Sequence, residues 1–175
     1  MAGKRISGLA ALALSCCVAA APAGAKTLIF HAALDGTSGP APTGSAATGR
    51  AKIRVDTDRK TVSVALDIDG ISAPQLWAKL VAAPIGPIHF HKYATAGGGD
   101  SVLALPLPYG PTYRSLPHGL RVRVARYDYG AGARLLNSTL SFDDFVAAMK
   151  NGLVVLNVHT DRFNAGEISG KVIED

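Results

Sequence analysis

Three histidines are the residues of this sequence best suited to chemistry. His89 and His91 are separated by one residue in a segment that is predicted to be a strand. Side chains at positions i and i+2 of a strand point to the same face and lie about 6.6 Å apart. Two imidazoles at that spacing can converge on one metal ion at about 2 Å from each nitrogen. His159 ends a second predicted strand and is the natural third ligand. Nitrogen ligands favour copper or zinc, so the three histidines predict a site for one of these metals.

The same spacing is compatible with a purely structural role, in which the imidazoles hydrogen-bond to loop backbone. The other two histidines lie elsewhere in the sequence, His31 in the first predicted strand and His118 in a loop between Pro117 and Gly119. The pattern therefore leaves two interpretations open, a metal site and a set of structural histidines.

Two aspartates also share a strand face, and they are a weaker candidate for chemistry. Asp67 and Asp69 lie on the same face of a predicted strand as Ser63 and Ala65. Because those two residues are small or polar, we predict that this face is exposed to solvent. Paired catalytic acids usually need surroundings that separate their pKa values. We therefore predict no catalytic role for this pair.

Three arginines form the remaining group of charged residues. Arg121 and Arg123 alternate with Val122 and Val124 along a predicted strand, and Arg126 follows. Such a pattern is typical of a solvated sheet face. The alternative is a binding site for an anionic glycan or a phosphate group.

Motifs for several common reactions are missing. The sequence contains no G-x-S-x-G, no H-E-x-x-H and no glycine-rich phosphate loop. Its two cysteines, Cys16 and Cys17, both lie near the N-terminus. Hydrolase and nucleotide-binding functions consequently lose support, and no catalytic residue is predicted, although the question of an enzyme stays open.

The N-terminal residues have the pattern of a signal peptide. A basic start with Lys4 and Arg5 precedes an apolar run, and Ala23-Gly24-Ala25 supplies small residues for cleavage. We predict a signal peptide over residues 1–25 and a domain over residues 26–175, exported to the periplasm or secreted. The alternatives are a membrane anchor, for which the run is short and broken by proline, and a lipoprotein site at Cys16, whose flanking residues fit poorly.

Composition limits the classes of partner. The chain has 175 residues, of which 48% are apolar and 18% charged. This excludes an intrinsically disordered protein, which lacks the apolar residues to form a core. The net charge of +5 includes Lys4 and Arg5 of the predicted signal peptide, so the remaining balance does not predict a nucleic-acid partner. No second run of membrane-spanning length follows, and no membrane association is predicted after cleavage.

The rest of the sequence predicts short strands separated by Gly, Pro and Asp. Predicted strands run over residues 27–34, 50–55, 61–69, 76–81, 85–91, 101–105, 120–128, 153–159 and 167–173. One helix is predicted from Ser141, where a capping box precedes apolar residues at helical spacing, to Gly152. This pattern favours an all-β fold, an antiparallel Greek-key sandwich or barrel of about eight strands with one short crossover helix.

Several motifs together resemble the CHRD domain family. Asn157 to Thr160 (NVHT), followed by Asn164 to Val172 (NAGEISGKV), is similar to the C-terminal signature of that family. Upstream, Ile88 to His91 (IHFH), Phe30 to Gly36 (FHAALDG) and Gly49 to Ile53 (GRAKI) resemble its other conserved segments. The resemblance covers nearly all of residues 26–175.

The resemblance implies an antiparallel β-fold and an extracellular domain without known catalytic activity. The predicted function is therefore a non-catalytic binding or structural module, whose partner is an extracellular protein or a glycan. The alternative is a copper- or zinc-binding module that uses His89, His91 and His159. Their arrangement is more loosely similar to copper/zinc superoxide dismutases, which makes a dismutase-like redox activity part of this alternative.

Overall fold

The computed structural model describes residues 26–175. The predicted signal peptide, with both cysteines, lies outside the described residues. Among the described residues, no helix has the length and apolar character needed to cross a membrane.

The described residues form ten strands and three α-helices. The strands are β1 (Thr27–Asp35), β2 (Thr48–Asp56), β3 (Thr61–Asp69), β4 (Ile88–Thr95), β5 (Gly98–Leu107), β6 (Tyr113–Leu116), β7 (Gly119–Asp128), β8 (Val154–Val158), β9 (Ile168–Lys171) and β10 (Ile173–Glu174). The helices are α1 (Ala78–Val81), α2 (Tyr129–Leu136) and α3 (Phe142–Lys150), and a 3₁₀ turn covers Ala73–Gln75.

All strands belong to one antiparallel sheet with the order β5-β4-β8-β9-β1-β2-β3-β7-β6, and β10 pairs with β1. Consecutive strands β1, β2 and β3 form a meander. Strand β8, from the C-terminal part of the chain, lies between β4 and β9. The sheet curls into a half-barrel. The predicted antiparallel all-β fold is confirmed, with ten strands in place of about eight.

Alternating side chains explain how one sheet encloses a core. Along β2, every second residue is buried while Arg50, Lys52 and Arg54 are exposed, because successive side chains of a strand point to opposite faces. The buried face carries aliphatic and aromatic residues from nearly all strands. We call this the core face, and the opposite side of the sheet the outer face.

Helix α3 closes the core as the sequence predicts. The Ser141 hydroxyl accepts a hydrogen bond from the Asp144 backbone N–H at 3.0 Å, which caps the helix start. Phe142, Phe145, Val146 and Met149 are all buried in the core cluster. The helix therefore uses the apolar face that its spacing indicates.

The predicted strand over residues 76–81 is wrong. Leu76 ends the 3₁₀ turn and makes only an isolated bridge to Thr160, and residues 78–81 form the single helical turn α1. The Asp161 carboxylate accepts a hydrogen bond from the Ala78 N–H at 3.0 Å. Pro74 favours a turn start, and this distant carboxylate stabilises a helical turn where the apolar pattern suggested a strand.

Two further elements differ from the sequence prediction. Helix α2 was not predicted, so the expectation of a single helix is wrong, and strand β6 was not predicted either. Gly130 and Gly132 give α2 a low intrinsic helix propensity. Its stabilising contacts come from Asp128, which accepts a hydrogen bond from the Ala131 N–H at 2.6 Å, and from the left-handed cap at Asn137.

Candidate metal centre

The three predicted histidines come together on the outer face of the sheet. His89 and His91 lie on β4, with Phe90 between them pointing into the core. Strand β8 pairs with β4 so that Asn157 faces His89, and His159 follows at the end of β8. The pairing of two strands thus brings together residues that are 70 positions apart in the chain.

The ring nitrogens of these residues converge. The Nδ1 atom of His89 lies 3.2 Å from the Nε2 atom of His159. One nitrogen from each of the three residues lies within 4.8 Å of the others, and this is the one group of three or more His, Cys, Asp or Glu side chains with that geometry in residues 26–175. We call His89, His91 and His159 the histidine cluster.

A backbone carbonyl sets the tautomer of one member. The Nδ1 atom of His159 lies 2.8 Å from the carbonyl oxygen of Asn164. A carbonyl can only accept, so Nδ1 carries the hydrogen and Nε2 presents a lone pair to His89. Orientation of a histidine by a carbonyl through its second nitrogen is a common feature of metal ligands.

Two nitrogens of the cluster are buried without a partner. Within the described part of the chain, neither the Nε2 atom of His89 nor that of His91 makes a hydrogen bond. A buried polar atom without a partner costs about 1–3 kcal/mol. Backbone groups of Gly86 and Ile85 lie close enough to His89 to oppose the lowering of its pKa, so among the described residues the Nε2 atom of His91 is the nitrogen left without any partner.

Burial keeps the cluster uncharged. Desolvation, with smaller contributions from the neighbouring imidazoles, lowers the pKa of His89 to about 3. Desolvation and the charge of His159 lower the pKa of His91 to about 4, and burial also lowers the pKa of His159. All three imidazoles are therefore neutral at pH 7, the form that binds a metal ion.

Two neighbours of the cluster were not identified from the sequence. The ring of Trp77 lies 6.4 Å from that of His159, centroid to centroid, and the Trp77 N–H donates to the His159 carbonyl at 3.0 Å. Asn164 supplies the carbonyl described above. The sequence gives no signal for Trp77 or Asn164, because each residue approaches His159 through its backbone and its position depends on the fold.

The loop that carries Asn164 depends on Gly166. Gly166 has φ +121°, and a Cβ atom there would lie 2.0 Å from Oδ1 of Asn157. The amide of Asn157 donates to the Ala165 carbonyl at 3.0 Å and accepts from the Ser169 hydroxyl at 2.9 Å. Glycine thus permits the close approach that ties the loop to β8.

We expect Gly166→Ala to lower the melting temperature clearly more than Gly98→Ala. Gly98 has a similar φ of +115°, but a Cβ there meets only Pro40 at 3.8 Å, an ordinary contact, so the control measures backbone strain alone, about 1–3 kcal/mol. Thermal unfolding of the two variants checks this. Equal losses would contradict a role for the Asn157 contact.

The other residues considered from the sequence lie apart from the cluster. His31 is half exposed and contacts the Asp175 carboxylate at 2.8 Å, and His118 lies in an exposed loop. Asp67 is held by Arg121 and Arg123, each at 2.8 Å, so the predicted exposed face is confirmed.

Comparison with known proteins agrees with the sequence motifs. A family model for the CHRD domain matches residues 30–172. No curated protein matches the sequence, and no solved structure does so. The family match includes all three histidines of the cluster and every strand that positions them. The chain belongs to the CHRD domain family.

Proposed function

We propose that this protein is an exported CHRD module that binds one copper or zinc ion through His89, His91 and His159. The observation that carries the proposal is the convergence of the three imidazoles, with one nitrogen of each within 4.8 Å of the others, beside the Nε2 atom of His91, which is buried without a hydrogen-bond partner in residues 26–175. Export rests on the signal-peptide pattern of residues 1–25.

The distances in the cluster suit such an ion. Two nitrogens bound to zinc at 2.0–2.1 Å in a tetrahedral arrangement lie about 3.3 Å apart. The 3.2 Å separation between His89 Nδ1 and His159 Nε2 is close to this value. A nitrogen of His91 lies within 4.8 Å of the nitrogens from His89 and His159, so His91 is the third residue that would bind the ion.

The donor set favours copper and zinc over harder cations. Three imidazoles supply only nitrogen, whereas magnesium and calcium prefer oxygen ligands. A three-histidine site leaves at least one coordination position for water or another small ligand. An ion held there would act as a Lewis acid, and a copper ion would also permit redox chemistry.

We expect the metal-free protein to bind Cu(II) or Zn(II) with 1:1 stoichiometry at pH 7.5, and His159→Gln and His89→Gln to weaken binding at least about 100-fold. Removing one of three ligands leaves too few nitrogens to compete with water, and even changes to residues that only support a ligand cost about 10–100-fold. Calorimetric titration of protein without a His-tag measures the affinity.

A second readout localises the ion. Trp77 is the single tryptophan of the chain, and its ring lies 6.4 Å from that of His159. Cu(II) bound to the cluster should therefore quench most of the tryptophan fluorescence, because a paramagnetic ion quenches at short range. Zn(II) should leave the intensity largely unchanged.

The matched control is His31→Gln, which removes a half-exposed histidine on β1. This variant should bind the metal as the wild type does. Equal affinity in wild type and His159→Gln, or saturation without quenching of Trp77, would leave the cluster as structural histidines. The protein would then be a binding module without a metal.

A dismutase-like activity of this site is a separate hypothesis. It requires copper at the cluster and an open coordination position, and the loss of superoxide in the presence of copper-loaded protein measures it. Binding without turnover would support a non-catalytic metal module.

A further inference from the structure

A second set of charged residues lies on the outer face, on strands away from the histidine cluster. Six cations project from three strands: Arg50, Lys52 and Arg54 from β2, Arg121 and Arg123 from β7, and Arg114 from β6. We call these six residues the basic face. Only Arg121 and Arg123 were singled out from the sequence.

Strand register places these cations in rows. In one row, Arg50 lies opposite Asp67, Asp67 opposite Arg121, and Arg121 opposite Arg114. In the next row, Lys52 lies opposite Ala65, and Ala65 opposite Arg123. Neighbouring strands are about 4.8 Å apart, and alternate residues of one strand about 6.8 Å apart. The six cations therefore cover a continuous area of the sheet.

The carboxylate of Asp67 fixes two of these cations, Arg121 and Arg123. Arg121 Nε donates to Asp67 at 2.8 Å, and Arg123 donates to both Asp67 oxygens through Nη2 and to the Leu66 carbonyl through Nη1. Hydrogen bonds from Arg123 and then Arg121 hold the pKa of Asp67 below its ordinary value. These hydrogen bonds thus fix the positions of the two guanidinium groups before any ligand arrives.

The other four cations have no such partner. In residues 26–175, no carboxylate oxygen lies within 4.0 Å of the charged nitrogens of Arg50, Lys52, Arg54 or Arg114. Like charges in adjacent positions repel each other and cost stability. An anionic ligand would relieve this repulsion.

The basic face also has a shape that suits a ring-sized group. A shallow depression of about 420 Å³ is lined by Ala33 and Ala65 together with His31, Arg50, Lys52 and Asp67. The two alanines leave room between longer side chains. A sugar ring could lie on the alanines while its anionic substituents contact the surrounding cations.

We infer that the basic face binds an acidic polysaccharide, that is, a glycan with sulfate or carboxylate groups. The inference rests on the positive charge of the basic face and on the alanine-lined depression. It does not depend on a metal at the histidine cluster. Repeated anions along a flexible chain would match cations spread over three strands.

Two other polyanions fit the face less well. Single-stranded nucleic acid is usually held by aromatic side chains that stack on bases, and the register rows of this face contain no Phe, Tyr or Trp. An anionic membrane is usually bound by cations next to apolar side chains that insert. The large aliphatic side chains beside this face are Ile29, which is half-buried opposite Arg54, and the exposed Ile173, and two aliphatic side chains give little insertion.

The test compares probes of defined chemistry on the purified protein, with EDTA present so that no metal contributes. Dextran sulfate represents sulfated chains, alginate represents carboxylate chains, and dextran is the neutral control. We expect at least one acidic polysaccharide to bind, dextran not to bind, and the affinity to fall with rising salt. The better of the two acidic probes identifies the anion.

The variant R50Q/K52Q/R54Q should weaken binding about tenfold, since it removes three exposed ion pairs with the ligand and each such pair contributes modestly. The control K79Q/R134Q/R162Q removes the same charge from exposed residues elsewhere and should bind nearly as the wild type does. Equal melting temperatures would show that both variants are folded.

Three results would overturn the inference. These are no binding of either acidic polysaccharide, equal weakening by the two triple variants, and tighter binding of oligo(dT) or phosphatidylglycerol vesicles than of both glycans. The first two would make the face an ordinary solvated surface, and the third would assign it to another class of polyanion. None of these outcomes depends on the metal proposal, because EDTA is present throughout and the basic face lies on β2, β6 and β7, whereas the histidine cluster lies on β4 and at the end of β8.

Discussion

Phe145→Ala should lower the free energy of unfolding by about 3–5 kcal/mol. Phe145 is completely buried at the centre of the face that α3 presents to the sheet. Its ring meets Phe90 edge-on at 6.0 Å and stacks on Tyr129 at 5.2 Å. Truncation leaves a cavity between these rings that the surrounding strands cannot fill, and it removes both aromatic contacts.

Urea unfolding at pH 7.5 measures this loss, and Phe163→Ala is the matched control. Phe163 is half-buried in a loop and lies under Arg162, outside the core cluster. Its truncation should cost no more than about 1 kcal/mol. A loss of that small size for Phe145 as well would mean that α3 is a loosely attached helix and not a part of the core.

The metal-free protein should lose stability steeply as the pH falls from 7 to 5. In the folded state, burial lowers the pKa of His89 to about 3 and that of His91 to about 4, whereas the unfolded value is about 6.5. Below pH 6.5 the unfolded chain therefore binds protons that the folded protein does not. Linkage then predicts a loss of about 2 kcal/mol for each of the two residues at pH 5, a loss that continues to grow down to the folded pKa values.

Urea unfolding in the presence of EDTA at pH 7, 6 and 5 measures this dependence. His91→Gln removes one of the titrating groups, so its stability should fall by about 2 kcal/mol less than that of the wild type over the same range. His31→Gln is the control at a half-exposed position and should retain the wild-type dependence. Parallel curves for wild type and His91→Gln would contradict the proposed burial of neutral imidazoles.

Local patterns were sufficient to predict much of this fold. Period-two alternation predicted β2, β3 and part of β7, because each of these strands buries one face and exposes the other. The Ser141 capping box and the spacing of Phe142, Phe145 and Met149 predicted α3 and its buried side. The N-terminal pattern predicted a signal peptide, which remains a prediction.

Elements that depend on distant partners escaped prediction. Residues 76–81 are mostly apolar, which predicted a strand, yet α1 forms there, and the Asp161 carboxylate accepts a hydrogen bond from its first N–H. Gly132 lowers the helix propensity of α2, but a Cβ at this position would lie 2.6 Å from Leu105. Glycine is needed for the close packing of α2 on β5, and no local rule contains that requirement.

The sequence by itself determined that His89 and His91 share one face of a strand, since the geometry of a β-strand makes this a local property. It also identified the family through motifs that surround all three histidines. Only the tertiary structure decided that His159 joins them, because the register of β8 against β4 is a pairing across 70 residues. The same holds for the basic face, where the pairing of β2, β3 and β7 places cations side by side that are unremarkable along the chain. In both cases the chemistry depends on which strands are neighbours, and strand neighbours are chosen by the burial of the whole core.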